Sequence, residues 1–551
     1  MKKIIPLLIV LLSLEAYSQI IPITKNLDSS LTKTYDSALV YVKNPTNNLV
    51  NIISTRVTSP KFFTRVNTFN INPFDSTGIW VLFSSYQNLT YRSFLICEGR
   101  VPNGGANYSF IYGLIATAKY PDVMYAFTQG LVDEPLKAAL KTFSSSPYTT
   151  LGYNTARDRM FETVDDYGGD TIECVYTGIK IYATNRTAAQ NQGFNTEHTW
   201  PQSLFNSNDP MVSDIHHLFP TNDAANSARA NYPFGFVVSN ITWQVGGSKL
   251  GRDASNTIVF EPRDKHKGNV ARSLFYFVLR HQNWGTLITA AHENALRQFH
   301  LIDTVDARER QRNDRVKQFQ NNRNPFADHP EFVERIAAFY TTLNTPPKAE
   351  ITASPYNARF DTLSNVNDTV SYFVAICNYG NTNLTVSSVT SNNPVFTVES
   401  FPSTVQPQQY GYARVKFRPT SANQTYTGEL TINNTDSTLK INLYGVCGNI
   451  IGISQISNEV PNTFSLKQNY PNPFNPSTSI RFGIPSSASN ETVSLKVFDA
   501  IGREVSTLVN SRLAAGEYEA RFDASKFTSG IYFYRLSASG FTSVKRMVLV
   551  K

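Results

Sequence analysis

Residues 195–201 read NTEHTWP, and HHLFP follows at 216–220, in a chain with only 8 histidines. A carboxylate directly beside an imidazole, with two more imidazoles downstream, is chemistry for a metal site or for acid–base work. A zinc protease requires H-E-x-x-H on one helix, so that both imidazoles face one metal. Here the order is E-H, and Pro201 follows within three residues, which argues against a continuing helix. In an extended segment neighbouring side chains point to opposite faces, so Glu197 and His198 cannot chelate one ion side by side. Separate tasks fit better: the carboxylate holds a cation while the imidazole works on a nucleophile. A zinc hydrolase using His216 and His217 is the competing metal reading.

A hard cation takes further oxygen ligands. The downstream stretch DIHHLFPTNDAANSARANYPFG supplies one. Pro220 ends one element, Thr221 or Asn222 is suited to cap a helix, and Pro233 closes it, which places Asn226 in a short helix. A strand bearing Glu-His, a connection, then a helix bearing Asn is the layout of a ββα-metal nuclease site.

The elements that must carry this site are embedded in a long chain. At 551 residues several domains are expected. Low charge (17%) and abundant aromatics (12%) point to β-rich, extracellular-type domains. The start, MKKIIPLLIVLLSLEAYSQ, fits a secretory signal cleaved after Ser18. No other stretch approaches the ~18 apolar residues of a membrane helix, so no stable span is expected. Four cysteines (Cys97, Cys174, Cys377, Cys447) contain no CxxC pair, which excludes a zinc ribbon. Cys377 and Cys447 fall in one candidate domain, where a bridge and two buried thiols are both open.

Segment 38–63 lines up with 372–397, and 80–97 with 414–433. Each shows short alternating apolar runs between Asn, Gly and Pro turns, the pattern of a β-sandwich. The second copy also resembles the immunoglobulin-like modules of surface proteins. Between the copies the pattern becomes helical at EPLKAALKTF, NVARSLFYFVLRH and NALRQFHLIDTVDARERQR. All the histidines lie in this block, and its charge is split. Residues 122–248 carry 7 basic and 13 acidic side chains, and 249–323 carry 14 basic and 8 acidic. A basic half beside an acidic half suits an anionic polymer held against a cation site. Glu261 and Asp264 are expected to pair with Arg263 or Lys265.

The central block resembles the endonuclease I family of secreted, non-specific bacterial nucleases. The matching pieces are L-x-x-A-L near 136–140, Y-x-x-A-R-D at 153–158, V-Y-T-G at 175–178, N-T-E-H-T-W-P, S-D-I-H-H-L-F-P, N-S-A-R-A-N-Y-P-F-G and F-E-P-R-D-K-H-K-G-N-V-A-R-S-L-F-Y. The resemblance implies metal ligands at Glu197 and Asn226, a general base at His198 and a supporting histidine at His216. It also matches family arginines at Arg229 and Arg272, either of which suits a phosphate clamp. The implied cofactor is Mg²⁺ or another divalent cation such as Ca²⁺ or Mn²⁺, and the implied substrate is DNA and possibly RNA. The last segment, with N-Y-P-N-P-F-N-P, D-x-x-G-R-E-V, S-G-I-Y-F-Y-R-L and K-R-M-V-L-V-K, resembles the C-terminal sorting domain of the type IX secretion system. It implies contact with that machinery and removal of the domain after export.

The expected architecture is therefore a multidomain chain with an α+β ββα-metal nuclease flanked by immunoglobulin-like β-sandwiches, plus a small C-terminal β-sandwich. The expected divisions are a signal peptide at 1–18, sandwiches at 19–121 and 346–448, and a nuclease at 122–345. A linker at 449–465 and a sorting domain at 466–551 complete the chain. The leading function is a secreted or surface-located metal-dependent endonuclease. The alternative is a surface binding or adhesion protein with an inactive nuclease block.

Overall fold

The computed structural model describes residues 20–26, 35–101, 107–281, 287–363, 365–366, 368–422, 424–447, 453–457, 461–488 and 491–551. The expected signal segment lies outside them.

Two β units flank a helical block, and they share one pairing scheme. In the first, Asp36–Lys43 pairs antiparallel with Ser76–Phe83, Val50–Val57 with Thr90–Arg100, and Thr90–Arg100 with Asn107–Lys119. In the second, Val370–Asn378 pairs with Tyr410–Phe417, Leu384–Ser391 with Gln424–Asn434, and Gln424–Asn434 with Leu439–Cys447. Each unit also adds one parallel strand, Ile20–Asn26 and Asn357–Arg359 respectively, beside its last long strand. The similarity between 38–63 and 372–397 thus extends to the order of strand pairing. Alternation explains the inward faces: Val40 and Val42 are buried while Tyr41 between them is exposed. Each unit also buries one asparagine after its opening strand. Asn44 Nδ2 donates to the carbonyls of Asn48, Ile71 and Asn72, and Asn378 Nδ2 to those of Thr382 and Val405.

The two units also touch each other. Phe94, Ile96 and Ile111 of the first form one buried cluster with Ala375 and Cys377 of the second. Around it, Ser109 Oγ lies 2.8 Å from Ser354 Oγ, and Arg56 lies over the Tyr356 ring and donates to the Ala353 carbonyl. All four cysteines are buried free thiols, so Cys377 and Cys447 do not bridge.

The block between them is organised around the helix Asp264–His281, which is buried over most of its length. The helical pattern at 294–312 resolves into two helices, Ala290–Ile302 and Ala307–Gln320. Its apolar spacing gave no sign of the break. Asp306, whose side chain accepts from Glu309 N, starts the second helix afresh.

The C-terminal unit places two four-stranded sheets around a core that includes Ile480, Phe482, Leu495, Tyr534 and Met547. The expected linker is partly structured: Ile453–Ser457 pairs antiparallel with Gly516–Asp523 in this unit. The unit therefore begins before 466, because that sheet recruits an edge strand from the preceding polar segment.

Candidate active site

Strand Phe194–His198 pairs antiparallel with Leu218–Asn222, with His198 opposite Leu218 and Phe194 opposite Asn222. The chain then turns directly into the helix Asp223–Arg229, capped by the Asn222 side chain on Ala225 N. Asn222 thus resolves the choice of cap. The central helix buttresses this hairpin: Ser273 Oγ lies 2.8 Å from Thr199 Oγ1 and donates to the His216 carbonyl.

Glu197 and His198 occupy different surroundings, as alternation requires. Glu197 is buried against the helix side. Its Oε1 accepts from Tyr176 Oη at 2.8 Å and lies 2.8 Å from Arg229 Nε. That Nε has no aligned acceptor, so the Arg229 contact is an ion pair without a hydrogen bond. Burial raises the Glu197 carboxyl above its usual range, with Arg229 and Tyr176 opposing the shift. Glu197 Oε2 carries no hydrogen bond from a described residue. Asn226 lies one helical turn before Arg229 and therefore on the same helix face. Its half-buried side chain also makes no hydrogen bond to a described residue.

His198 faces a second group. Its Nε2 lies 3.2 Å from the Val212 carbonyl, and a carbonyl only accepts, so Nε2 carries the proton and Nδ1 the lone pair. Gln202 Nε2 donates to that Nδ1 at 2.9 Å and lies 3.2 Å from Tyr153 Oη. Ser207 Oγ donates to Gln202 Oε1 at 3.2 Å. The Tyr153 ring is 5.5 Å from the His198 ring. Burial pushes the His198 imidazole well below its ordinary range, with repulsion from His217 and Arg157 adding to it. The ring is therefore neutral at neutral pH, with its Nδ1 lone pair engaged by the Gln202 amide.

His217 is oriented by the same turn that holds His198, its Nε2 donating to the Met211 carbonyl at 2.6 Å. His216 points elsewhere: its Nε2 donates to the Asn322 carbonyl and its ring packs 4.7 Å from Tyr276. Among the described residues no group of three or more His, Cys, Asp or Glu side chains converges on a common point.

Asp214, just before this pair, is the centre of a buried network. Its carboxylate accepts from Arg280, Tyr276 Oη (2.9 Å), Gln320 Nε2 (3.1 Å) and His281 Nε2 (3.4 Å). Burial works to raise this carboxyl, but Arg280 and the histidines outweigh it and hold it well below the usual range.

The two arginines expected to clamp phosphate are placed otherwise. Arg229 has no exposed surface, and its Nη1 and Nη2 donate to the carbonyls of Ala230 and Thr199, each at 2.7 Å. Arg272, equally buried, forks onto Glu309 and donates to the Asp303 carbonyl. Neither guanidinium reaches a surface that a polymer can touch, so the clamp reading is corrected for both.

The charge split also has a different meaning from the expected one. Arg263 pairs with Glu173, Arg280 with Asp214 and Arg312 with Asp165. Arg308 and Arg315 donate to carbonyls at Asp166 and Thr163. Part of the basic half is thus fastened to the acidic half, and at these positions the split serves folding. Glu261 and Asp264 both pair with Lys267, and Glu261 also with Lys249, instead of Arg263 or Lys265.

Tyr153, Arg157 and Tyr176 belong to the matching motifs, which assign them no task. Asp214 lies in the matching motif S-D-I-H-H-L-F-P without a task, and Gln202 carried no signal beyond lying four residues after His198.

The buried histidines give a stability prediction. Burial lowers both His216 and His217 to about 4. Between an ordinary value near ~6.5 and that level the unfolded chain binds protons that the folded chain refuses, so stability falls with falling pH. Each contributes a loss on the order of 3 kcal/mol once pH reaches that level. Urea midpoints of the nuclease transition should drop steadily from pH 7 to pH 4.5, and a flat profile contradicts this account.

The family profile described as Endonuclease I matches residues 141–331, and that of the Secretion system C-terminal sorting domain matches 468–551. The extracellular ribonuclease of Bacillus subtilis (strain 168) is 30% identical over 236 residues, covering 39% of this chain and 78% of that protein. The extracellular ribonuclease of Bacillus amyloliquefaciens is 30% identical over 240 residues, covering 39% of this chain and 78% of its own. A nuclease that is secreted or surface-located, with an export module at its C terminus, is the class these findings define. The chain belongs to the endonuclease I family. Among the described residues no helix is long and apolar enough to cross a membrane.

Proposed function

We propose that the central block hydrolyses internal phosphodiester bonds of RNA and DNA with one divalent cation, using the strand–strand–helix around Glu197, His198 and Asn226 as a ββα-metal site. The observation that carries this reading is the His198 tautomer. The Val212 carbonyl holds Nε2–H, so Nδ1 is the nitrogen that takes a proton from water at neutral pH once the Gln202 amide gives up its hydrogen bond there.

The residues on the other face suit a hard cation. Glu197 Oε2 and the Asn226 amide oxygen are oxygen donors that no described residue engages, and a carboxylate with one neutral oxygen suits a cation that keeps several waters, such as Mg²⁺. When bound there, the cation supplies charge neutralisation for the phosphate and for the leaving 3′ oxygen. Tyr176 and Arg229 hold the Glu197 carboxylate in place through its other oxygen. Arg229 is on this account a positioning residue, and His216 a brace for the turn that carries His217.

The substrate follows from the chemistry and from the relatives. Both curated relatives are named as ribonucleases. Nothing among the described residues resembles a helix set to read base edges, so cleavage should be nearly indifferent to sequence. The two flanking β units are read as immunoglobulin-like spacers. The C-terminal unit is read as the address for type IX export.

Purified protein should nick supercoiled plasmid and degrade structured RNA with Mg²⁺, and EDTA should abolish both activities. Retention of activity in EDTA would reject the cation. Absence of any cleavage with Mg²⁺, Mn²⁺ or Ca²⁺ would favour the adhesion reading.

A further inference from the structure

With Arg229 and Arg272 enclosed, the site needs another cation for its polyanionic substrate. We propose that Arg157 is that group, contacting a phosphate of the bound nucleic acid beside His198. This rests on the nuclease reading above.

Arg157 sits in the short helix Tyr153–Arg159. Its Nε donates to Thr196 Oγ1 at 3.3 Å, and its guanidinium carbon lies 4.7 Å from the centroid of the Tyr153 ring. Thr196 is two residues before His198 and so shares its face of the strand. Tyr153 also meets the His198 ring and the Gln202 amide. Arg157 is thus tied at two points to the surface that carries the base.

What it lacks is an anion. Neighbouring arginines are neutralised: Arg159 pairs with Glu162 and Arg186 with Asp158. No carboxylate among the described residues pairs with Arg157, and its Nη1 and Nη2 make no hydrogen bond there. The side chain is only half-buried, so both nitrogens remain reachable. A guanidinium already stacked and tethered loses little further freedom on binding, and its planar fork matches two phosphate oxygens.

The test uses the full chain with Arg157→Gln, which retains a donor for Thr196 but no charge, and Arg157→Lys, which restores charge without the fork. Loss of one preorganised donor should lower kcat/KM by about 10²-fold in the Gln variant. Binding of a short DNA duplex is measured in a His198→Ala background to prevent cleavage. There the slope of log affinity against log salt should become shallower by about 0.9 with Arg157→Gln, one phosphate contact fewer. Arg157→Lys should recover the slope and only part of the rate.

Unchanged rate and slope in Arg157→Gln would overturn the proposal. So would equal impairment of slope by Gln and Lys, which marks a structural role. If the Gln variant does not fold, the Lys variant decides: a wild-type slope with reduced kcat supports the contact, and wild-type kcat refutes it. A wild-type protein without divalent-dependent cleavage would instead defeat the nuclease reading itself.

Discussion

Replacing His198 by Ala should lower turnover by about 10²–10⁴-fold while leaving cation affinity almost unchanged, because a positioned general base contributes on that scale. The two members of the Glu197–His198 pair look to opposite sides of one strand, so their losses should be separable. For the carboxylate, Gln is a better probe than Ala. Truncating Glu197 to Ala strands the wholly buried Arg229 without its counter-charge, and removing one partner of a buried pair costs about 3–5 kcal/mol. Glu197→Gln keeps an acceptor for Tyr176 and should chiefly weaken cation binding, with excess Mg²⁺ or Mn²⁺ restoring part of the activity. Asn226→Ala should behave similarly, with no penalty from a stranded charge. Calorimetric titration of Mn²⁺ beside plasmid cleavage reads both quantities. Loss of cation binding in His198→Ala, with retention in Glu197→Gln, would reverse the assignment.

A large effect on stability is also expected at Asp214. Its carboxylate accepts from four side chains and also from the backbone N–H of His216, all within the protein. Asp214→Ala leaves Arg280 with an unpaired buried charge beside Tyr276, and should cost about 3–5 kcal/mol. The contrast is Glu399, which pairs with Arg414 and Lys416 on a solvated strand, where loss of the pair should cost at most about 1 kcal/mol. Chemical unfolding followed by fluorescence, with Trp200 buried against Phe277, reports the nuclease transition. Equal shifts for the two variants would show that the Asp214 network does not act as a unit.

The site could be read from the sequence to the extent that local rules controlled it. Pro201 after E-H predicted an extended strand, and alternation along a strand separated the two side chains before any coordinates. A polar residue after Pro220 predicted the cap that Asn222 supplies. Charge was misread because composition records the sign of a side chain and not its partner. Arg312 and Asp165 lie far apart in sequence, and only the fold joins them. Arg229 and Arg272 were placed at the substrate for the same reason, since a guanidinium suited to phosphate is equally suited to a buried carboxylate. The break between the helices at 290–302 and 307–320 was missed because apolar spacing continues across it, while Asp306 acts through one side-chain bond.

The face that joins the two β units has a consequence during synthesis. Phe94, Ile96 and Ile111 belong to strands completed early, whereas Ala375 and Cys377 follow only after the entire nuclease has been made. The emerging first unit therefore carries an uncovered apolar face while the nuclease is being made, a feature that favours aggregation of partly made chains. Premature folding of an N-terminal fragment ending before residue 346 should consequently yield a stickier product than the full chain.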